Sequence, residues 1–180
     1  MPNWCENIAT FKHNELEMMA KLNEAIVSKK LFGSFFPTPP ELDQDGLHSE
    51  ENEQFRELLC KKYGYETGYD WRIGEWGTKW DTEPYVMDEF DNSITLSFDT
   101  AWDPPLAFYD KMVGLGFDVN AMYHEPGMAF AGIWENGFED HYEYGGIDST
   151  QIAEELPEEL DEAFRISESV SGWEEDNDEE

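Results

Sequence analysis

Positive charge is what this 180-residue chain has least of. Against 42 acids it carries 11 lysines and arginines, for a formal net charge of −31. After Lys79 only Lys111 and Arg165 are cationic. Residues 1–79 hold 14 acids against 9 cations, a net −5; residues 80–180 hold 28 against 2, a net −26. A field of that sign repels nucleic acid and anionic membrane and attracts basic surfaces, so neither direct nucleic-acid binding nor membrane association is expected. Halophilic adaptation spreads acids over a whole chain, and the ordinary first half speaks against it.

Cysteine is scarce too. Cys5 and Cys60 form no C-x-x-C pair, which suits a reducing cytoplasm better than a secreted disulfide scaffold. No stretch approaches the ~20 apolar residues of a membrane span. The opening MPNWCENIATF has neither the basic start nor the apolar run of a secretion signal. A cytoplasmic location is the expectation. His13, His48, His124 and His141 lack H-x-x-x-H or H-E-x-x-H spacing, and DQDG at 43–46 opens like a calcium loop without the later ligands. A P-loop, G-x-S-x-G and a strand-linked G-x-G-x-x-G are all missing. Cys5 with a histidine would make a nucleophile pair, but a free cysteine is more often a small buried hydrophobe. A non-enzyme with no metal and no cofactor is expected.

Aromatics are plentiful: they make up 15% of the chain, including seven tryptophans. A disordered polyanion has few of them, so the chain folds despite its self-repulsion. CENIATFKH reads as a strand. NELEMMAKLNEAIVSKK reads as a helix with Asn14 as cap and Glu17 three residues on. The prolines of LFGSFFPTPPEL point to an extended connection, and a second helix runs through Phe55, Leu58, Leu59 and Tyr63 to Gly64. YVMDEF and SITLSFD alternate as strands about Asp91-Asn92. DPPLAFYDKMVGLG reads as a helix capped by Asp103, and FDVNAMY with MAFAGIW as a hairpin. STQIAEELPEELDEAFRI reads as an acidic helix and WEEDNDEE as a solvated tail.

That order is strand, helix, strand, strand, helix, strand, with one strand more. It predicts an α+β, ferredoxin-like βαββαβ sandwich with an extra C-terminal strand. Residues 1–146 would be the domain, 30–82 a helical insertion, 147–165 an acidic helix and 166–180 an acidic tail.

Five blocks carry a family resemblance: MPNWCEN at 1–7, FPTPPEL at 36–42, WRIGEWGTKWD at 71–81, FDTAWDPP at 98–105 and YHEPGMAFAG at 123–132. In that order they resemble the YubB ferredoxin-like family of phages and plasmids, over roughly residues 2–146. The resemblance implies the ferredoxin-like fold and a gene carried by a virus or mobile element. It implies no catalytic residues, and the acidic C-terminal third departs from the family pattern.

Trp4, Trp76, Trp80 and Trp102 recur in these blocks. They read first as packing where the insertion meets the sheet, with Asn7, Thr78 and Thr100 as candidate indole partners. Lys79 would pair with Glu6 or Asp99, or lie across an indole.

Acidic runs are usually solvated faces, but magnitude decides here. Duplex DNA carries one charge per ~1.7 Å, so −26 matches about 13 base pairs, some 44 Å of duplex. A compact chain of this length is about 40 Å across. The expected function is therefore that of a phage or mobile-element accessory protein acting as a DNA mimic. It would bind and inhibit a basic, nucleic-acid-binding host defence protein of restriction or CRISPR type. The candidate partner-binding residues are Asp81, Glu83, Asp88, Glu89 and Asp91 around the second strand and Glu135, Glu139, Asp140 and Glu143 around the last. Glu154, Glu155, Glu158, Glu159, Asp161 and Glu162 on the acidic helix complete the set. The alternative is a small-molecule-binding module using the tryptophan cluster, with the acids serving solubility.

Overall fold

A computed structural model describes residues 2–44, 47 and 52–178. Six strands form one antiparallel sheet: β1 Trp4–Lys12, β2 Tyr85–Phe90, β3 Ser93–Ala101, β4 Asp118–Glu125, β5 Phe130–Glu135 and β6 Phe138–Glu143. Their spatial order is β2-β3-β1-β4-β5-β6. Helices α1 Leu16–Ser28, α2 Leu31–Phe35, α3 Glu53–Tyr63 and α4 Gly68–Trp76 lie between β1 and β2. Helix α5, Leu106–Gly114, joins β3 to β4, and α6 Ser149–Glu155, α7 Glu158–Phe164 and α8 Ile166–Asp178 follow the sheet. The chain is α+β.

Alternation along β1 assigns the two sheet faces. Cys5, Asn7, Ala9 and Phe11 are buried on one face, while Trp4, Glu6, Ile8, Thr10 and Lys12 point to the other. The first face packs under α1, α2 and α5 in an aromatic core, where Phe32 and Phe108 lie 4.8 Å apart and Phe11 meets Phe108 edge-on at 6.2 Å. The second face is divided. Over β4 and β5 it is buried by α6–α8 through Ala131, Ile152, Leu156, Leu160 and Ile166. Over β2, β3 and β1 it stays open, with Thr10, Thr95 and Ser97 partly exposed and Tyr85, Phe90 and Asp99 exposed.

Several local expectations are corrected. Asn14 does not cap α1: its Oδ1 accepts from Asn92 Nδ2, Glu15 takes the cap position, and the Glu15 N–H donates to His13 Nδ1. Nor does the Asp103 side chain cap α5, which begins after Pro105. LFGSF is helical because its prolines begin only at residue 37, after α2 has ended. FEDHYE is a sixth strand whose alternation was hidden by charge. The expected single acidic helix breaks at Pro157 into α6 and α7. The expected solvated tail is helical through Asp178. It is held by apolar contacts of Ile166 and Val170 and by Glu174, whose carboxylate accepts from the Ser149 N–H and Oγ. Asp45, Gly46 and His48, part of the calcium-loop and histidine readings, lie outside the described residues. No helix among the described residues is long and apolar enough to cross a membrane.

Candidate functional site

Twelve of the fifteen nominated carboxylates fall on two sheet edges and the helices α6 and α7 rather than on one strip, while Asp81 and Glu83 precede β2 and Glu135 ends β5. Asp88, Glu89 and Asp91 sit on and after β2, one edge of the sheet; Glu139, Asp140 and Glu143 sit on β6, the opposite edge. Five strand spacings separate these rows, about 24 Å. Glu154 and Glu155 end α6, and Glu158, Glu159, Asp161 and Glu162 lie in α7. Glu135 and Glu159 are brought together with Ile8, Thr10 and Asn120 around a shallow cleft of about 320 Å³.

Some of these acids serve the fold. Asp81 accepts from the backbone N–H groups of Phe32 at 2.8 Å and Gly33 at 2.9 Å, placing a carboxylate at the start of α2 where the helix dipole favours it. Asp161 accepts from the Ser167 N–H and Oγ, closing the turn from α7 into α8. Glu139 accepts from the Tyr123 hydroxyl. Glu83 pairs with Lys29 at 2.9 Å and is the one member of the set with a cationic partner among the described residues. All except Asp81 and Asp161 are exposed.

The tryptophans divide as well. Trp76 is buried, and its indole N–H donates to the Phe36 carbonyl at 2.9 Å. Trp4, Trp80 and Trp102 are nearly half exposed, at 47%, 47% and 45%. Trp4 and Trp80 lie 5.9 Å apart. The Lys79 ammonium sits 4.0 Å from the Trp80 ring and 5.7 Å from the Trp102 ring, taking the indole option over Glu6 or Asp99. Trp102 holds φ at +76°, a conformation that side chains of its bulk rarely adopt. The three expected indole partners work elsewhere: Asn7 bonds Thr100 and Tyr109, and Thr78 bonds Ala101.

Glu6 and Asp99 face each other directly across β1 and β3. Burial, and for Glu6 also the neighbouring Asp99 charge, pushes both carboxyls above their ordinary range. On the other side of Glu6, in register on β4, stands His124. Its Nε2 is 2.7 Å from the Tyr144 hydroxyl, while Nδ1 has no hydrogen-bond partner among the described residues and lies 4.0 Å from Glu6 Oε2. Burial lowers the imidazole to about 4. Glu6, His124 and Tyr144 line a cavity of about 900 Å³ between the sheet and α8. Sequence reasoning weighed His124 only as a metal ligand, and nothing local announces the helix that encloses it. Cys5 is buried, and burial pushes its thiol well up, so no thiolate is on hand for nucleophilic chemistry.

An α+β protein with an antiparallel sheet and a tilted aromatic surface cluster is the class these features define. Neither a family model nor a curated protein matches the chain. Among solved structures it is similar to a protein api92 from Yersinia pseudotuberculosis, assigned to the family model DUF1281. The TM-score is 0.44 and the identity 12%, over 82% of this chain and 99% of that one.

Proposed function

We propose that the protein is an acidic decoy that occupies the nucleic-acid-binding surface of a basic host protein. The observation that carries this reading is the lack of compensation: among the described residues only Glu83 of the nominated acids has a cationic partner, and most of the others point into solvent. Uncompensated carboxylates cost stability through self-repulsion, and a partner bearing Arg and Lys removes that cost. The open half of the second sheet face offers a seat. It runs from β2 to the ridge of α7, three strand spacings or about 14 Å, and an α-helix with its side chains is about 10–12 Å wide. Its floor is small and polar at Thr10, Thr95 and Ser97, and Asp88 and Glu159 stand at its sides. A basic recognition helix, the element many DNA-binding proteins present to the major groove, fits that shape and sign.

The strand order β2-β3-β1-β4, with α1 and α5 as the two crossovers, supports a ferredoxin-like reading of the first four strands. On that reading β5 and β6 extend the sheet. The sequence resemblance to a phage and plasmid family supports a role in a host cell, with a restriction or CRISPR-type nuclease as the partner class.

The test is displacement. Immobilised protein in host lysate at about 0.2 M salt, where the Debye length is about 7 Å, should retain nucleic-acid-binding proteins and release them to added duplex DNA. The triple charge reversal Asp88→Lys, Glu89→Lys, Asp91→Lys should lose them. Capture that duplex DNA does not reverse, or that the triple variant keeps, rejects the decoy. A second reading rests on Trp4, Trp80 and Trp102, whose exposed rings and clamped lysine would suit a small planar ligand. In that case Trp80→Ala abolishes activity and the charge reversal leaves it intact.

A further inference from the structure

We propose that the cavity between the sheet and α8 is a binding site for a hydrophobic amine: a protonated nitrogen carried on an aromatic or branched aliphatic body. At about 900 Å³ it lies in the size range of small-molecule sites. Its walls are apolar where Ile147, Phe164, Ile166 and Val170 line it. Among the described residues its charged groups are all carboxylates, Glu6, Asp148 and Glu174, and no lysine or arginine lines it. That charge disfavours an anionic ligand.

Two of those three acids already have work. Asp148 caps α6 through the Gln151 N–H, and Glu174 holds Ser149. Glu6 is left, facing Asp99 across the strand pair as a like-charge neighbour that destabilises the sheet. Beside it stands an independent feature. His124 is 7% exposed, lines the cavity, and leaves Nδ1 buried without a hydrogen bond among the described residues. A buried polar atom left unpaired is costly and uncommon.

One ligand group satisfies both residues. Glu6 Oε2 and His124 Nδ1 are 4.0 Å apart, a gap that one ammonium nitrogen bridges with two hydrogen bonds of about 2.9 Å. With Nδ1 accepting, Nε2–H donates to the Tyr144 oxygen 2.7 Å away, which fixes a consistent tautomer. The faces of Tyr144 and Phe164, whose centroids lie 5.9 and 5.4 Å from the His124 ring, complete an electron-rich surround for a cation. The body of the ligand then occupies the apolar space toward α8. This site is separate from the open sheet face and does not depend on the decoy reading.

The experiment uses three indoles of one shape on the full-length protein at 0.15 M salt: tryptamine, tryptophol and indole-3-propionate. Calorimetry should show tryptamine binding about tenfold or more tighter than tryptophol, and no binding of the propionate. Glu6→Gln should remove the preference for the amine while tryptophol binding persists, and Val170→Trp, which places an indole in the apolar part of the cavity, should weaken both. The thermal midpoint of each variant establishes that it is folded. Failure of tryptamine to bind at about 5 mM, well above the weakest useful site affinities, overturns the proposal. So does equal affinity for amine and alcohol. Tryptamine binding that neither Glu6→Gln nor Val170→Trp changes is adsorption to the acidic surface and also overturns it.

Discussion

The carboxylate of Asp81 and the backbone of Gly33 are fitted to each other: Oδ2 accepts the Gly33 N–H at 2.9 Å, and a β-carbon on residue 33 would stand 2.7 Å from that oxygen. Only glycine leaves the space. Asp81→Ala should cost about 1–2 kcal/mol, as loss of a helix N-terminal acceptor does, and Gly33→Ala about 1 kcal/mol by pushing the carboxylate away. Because both changes break one contact, the double variant should be hardly less stable than Asp81→Ala. Urea unfolding of the four proteins measures this, and full additivity would disprove the link.

Lys79 places its ammonium 4.0 Å from Trp80 at a surface site. Lys79→Met keeps most of the apolar stem and removes the charge. It should lower stability by about 0.5–1 kcal/mol, the scale of an exposed cation–π contact. The effect should shrink in a Trp80→Ala background, where the Trp102 ring still lies 5.7 Å from the ammonium. An equal loss in both backgrounds assigns the lysine to the general charge balance instead.

His124 is held neutral by burial, with its imidazole lowered to about 4 from an ordinary 6.5. An unfolded chain takes up this proton as pH falls through 6.5 and the fold does not, so the stabilising contribution is complete above 6.5 and declines from there toward 4. Histidine NMR should show one imidazole titrating near 4. Between pH 7 and 5 the thermal midpoint of the wild type should fall relative to His124→Gln. The comparison between the two proteins matters because relief of the Glu6 and Asp99 carboxyls acts in the opposite direction in both. A His124 midpoint at 6.5 rules this out.

Glu174 accepts from both the backbone and hydroxyl of Ser149, tying α8 to the start of α6. Glu174→Ala should cost about 1–2 kcal/mol of local stability, and amide exchange should accelerate across α8 and the start of α6 while β1 and β3 keep their protection. Exchange in α8 as fast as in an unfolded peptide, in the wild type, would contradict the docked helix.

The sheet was legible because its strands alternate. Ile94, Leu96 and Phe98 against Thr95, Ser97 and Asp99 give β3 directly, and they are buried and partly or fully exposed in turn. β6 was not legible: Phe138, Asp140 and Tyr142 share a face, but charge stands on both sides of an edge strand. The terminal helix was hidden for a related reason. Its anchors, Ile166, Val170 and Glu174, recur at a helical spacing of four, yet the acids between them read as solvated chain. The acidic candidates were easy to nominate and hard to place, since an edge, its opposite edge and a helix look alike in a list of carboxylates. The Glu6–His124 pairing needs the β1–β4 register, which joins residues 118 positions apart and has no local signal.

Among the described residues the sheet is open at both ends, with β2 and β6 as unpaired borders. Such borders are templates for strand addition by another molecule. Here β2 carries Asp88 and Glu89 and an irregularity between Val86 and Asp88, and β6 carries Glu139, Asp140 and Glu143. At neutral pH the charges keep two copies from zipping together edge to edge. Neutral residues in place of these acids would remove that guard, leaving Tyr85, Phe90 and Phe138, all more than 70% exposed, beside open hydrogen-bonding groups. The carboxylates proposed to meet a basic partner thus also guard the protein against polymerising with itself, so replacing Asp88, Glu89, Glu139, Asp140 and Glu143 by their amides should promote edge-to-edge association without unfolding.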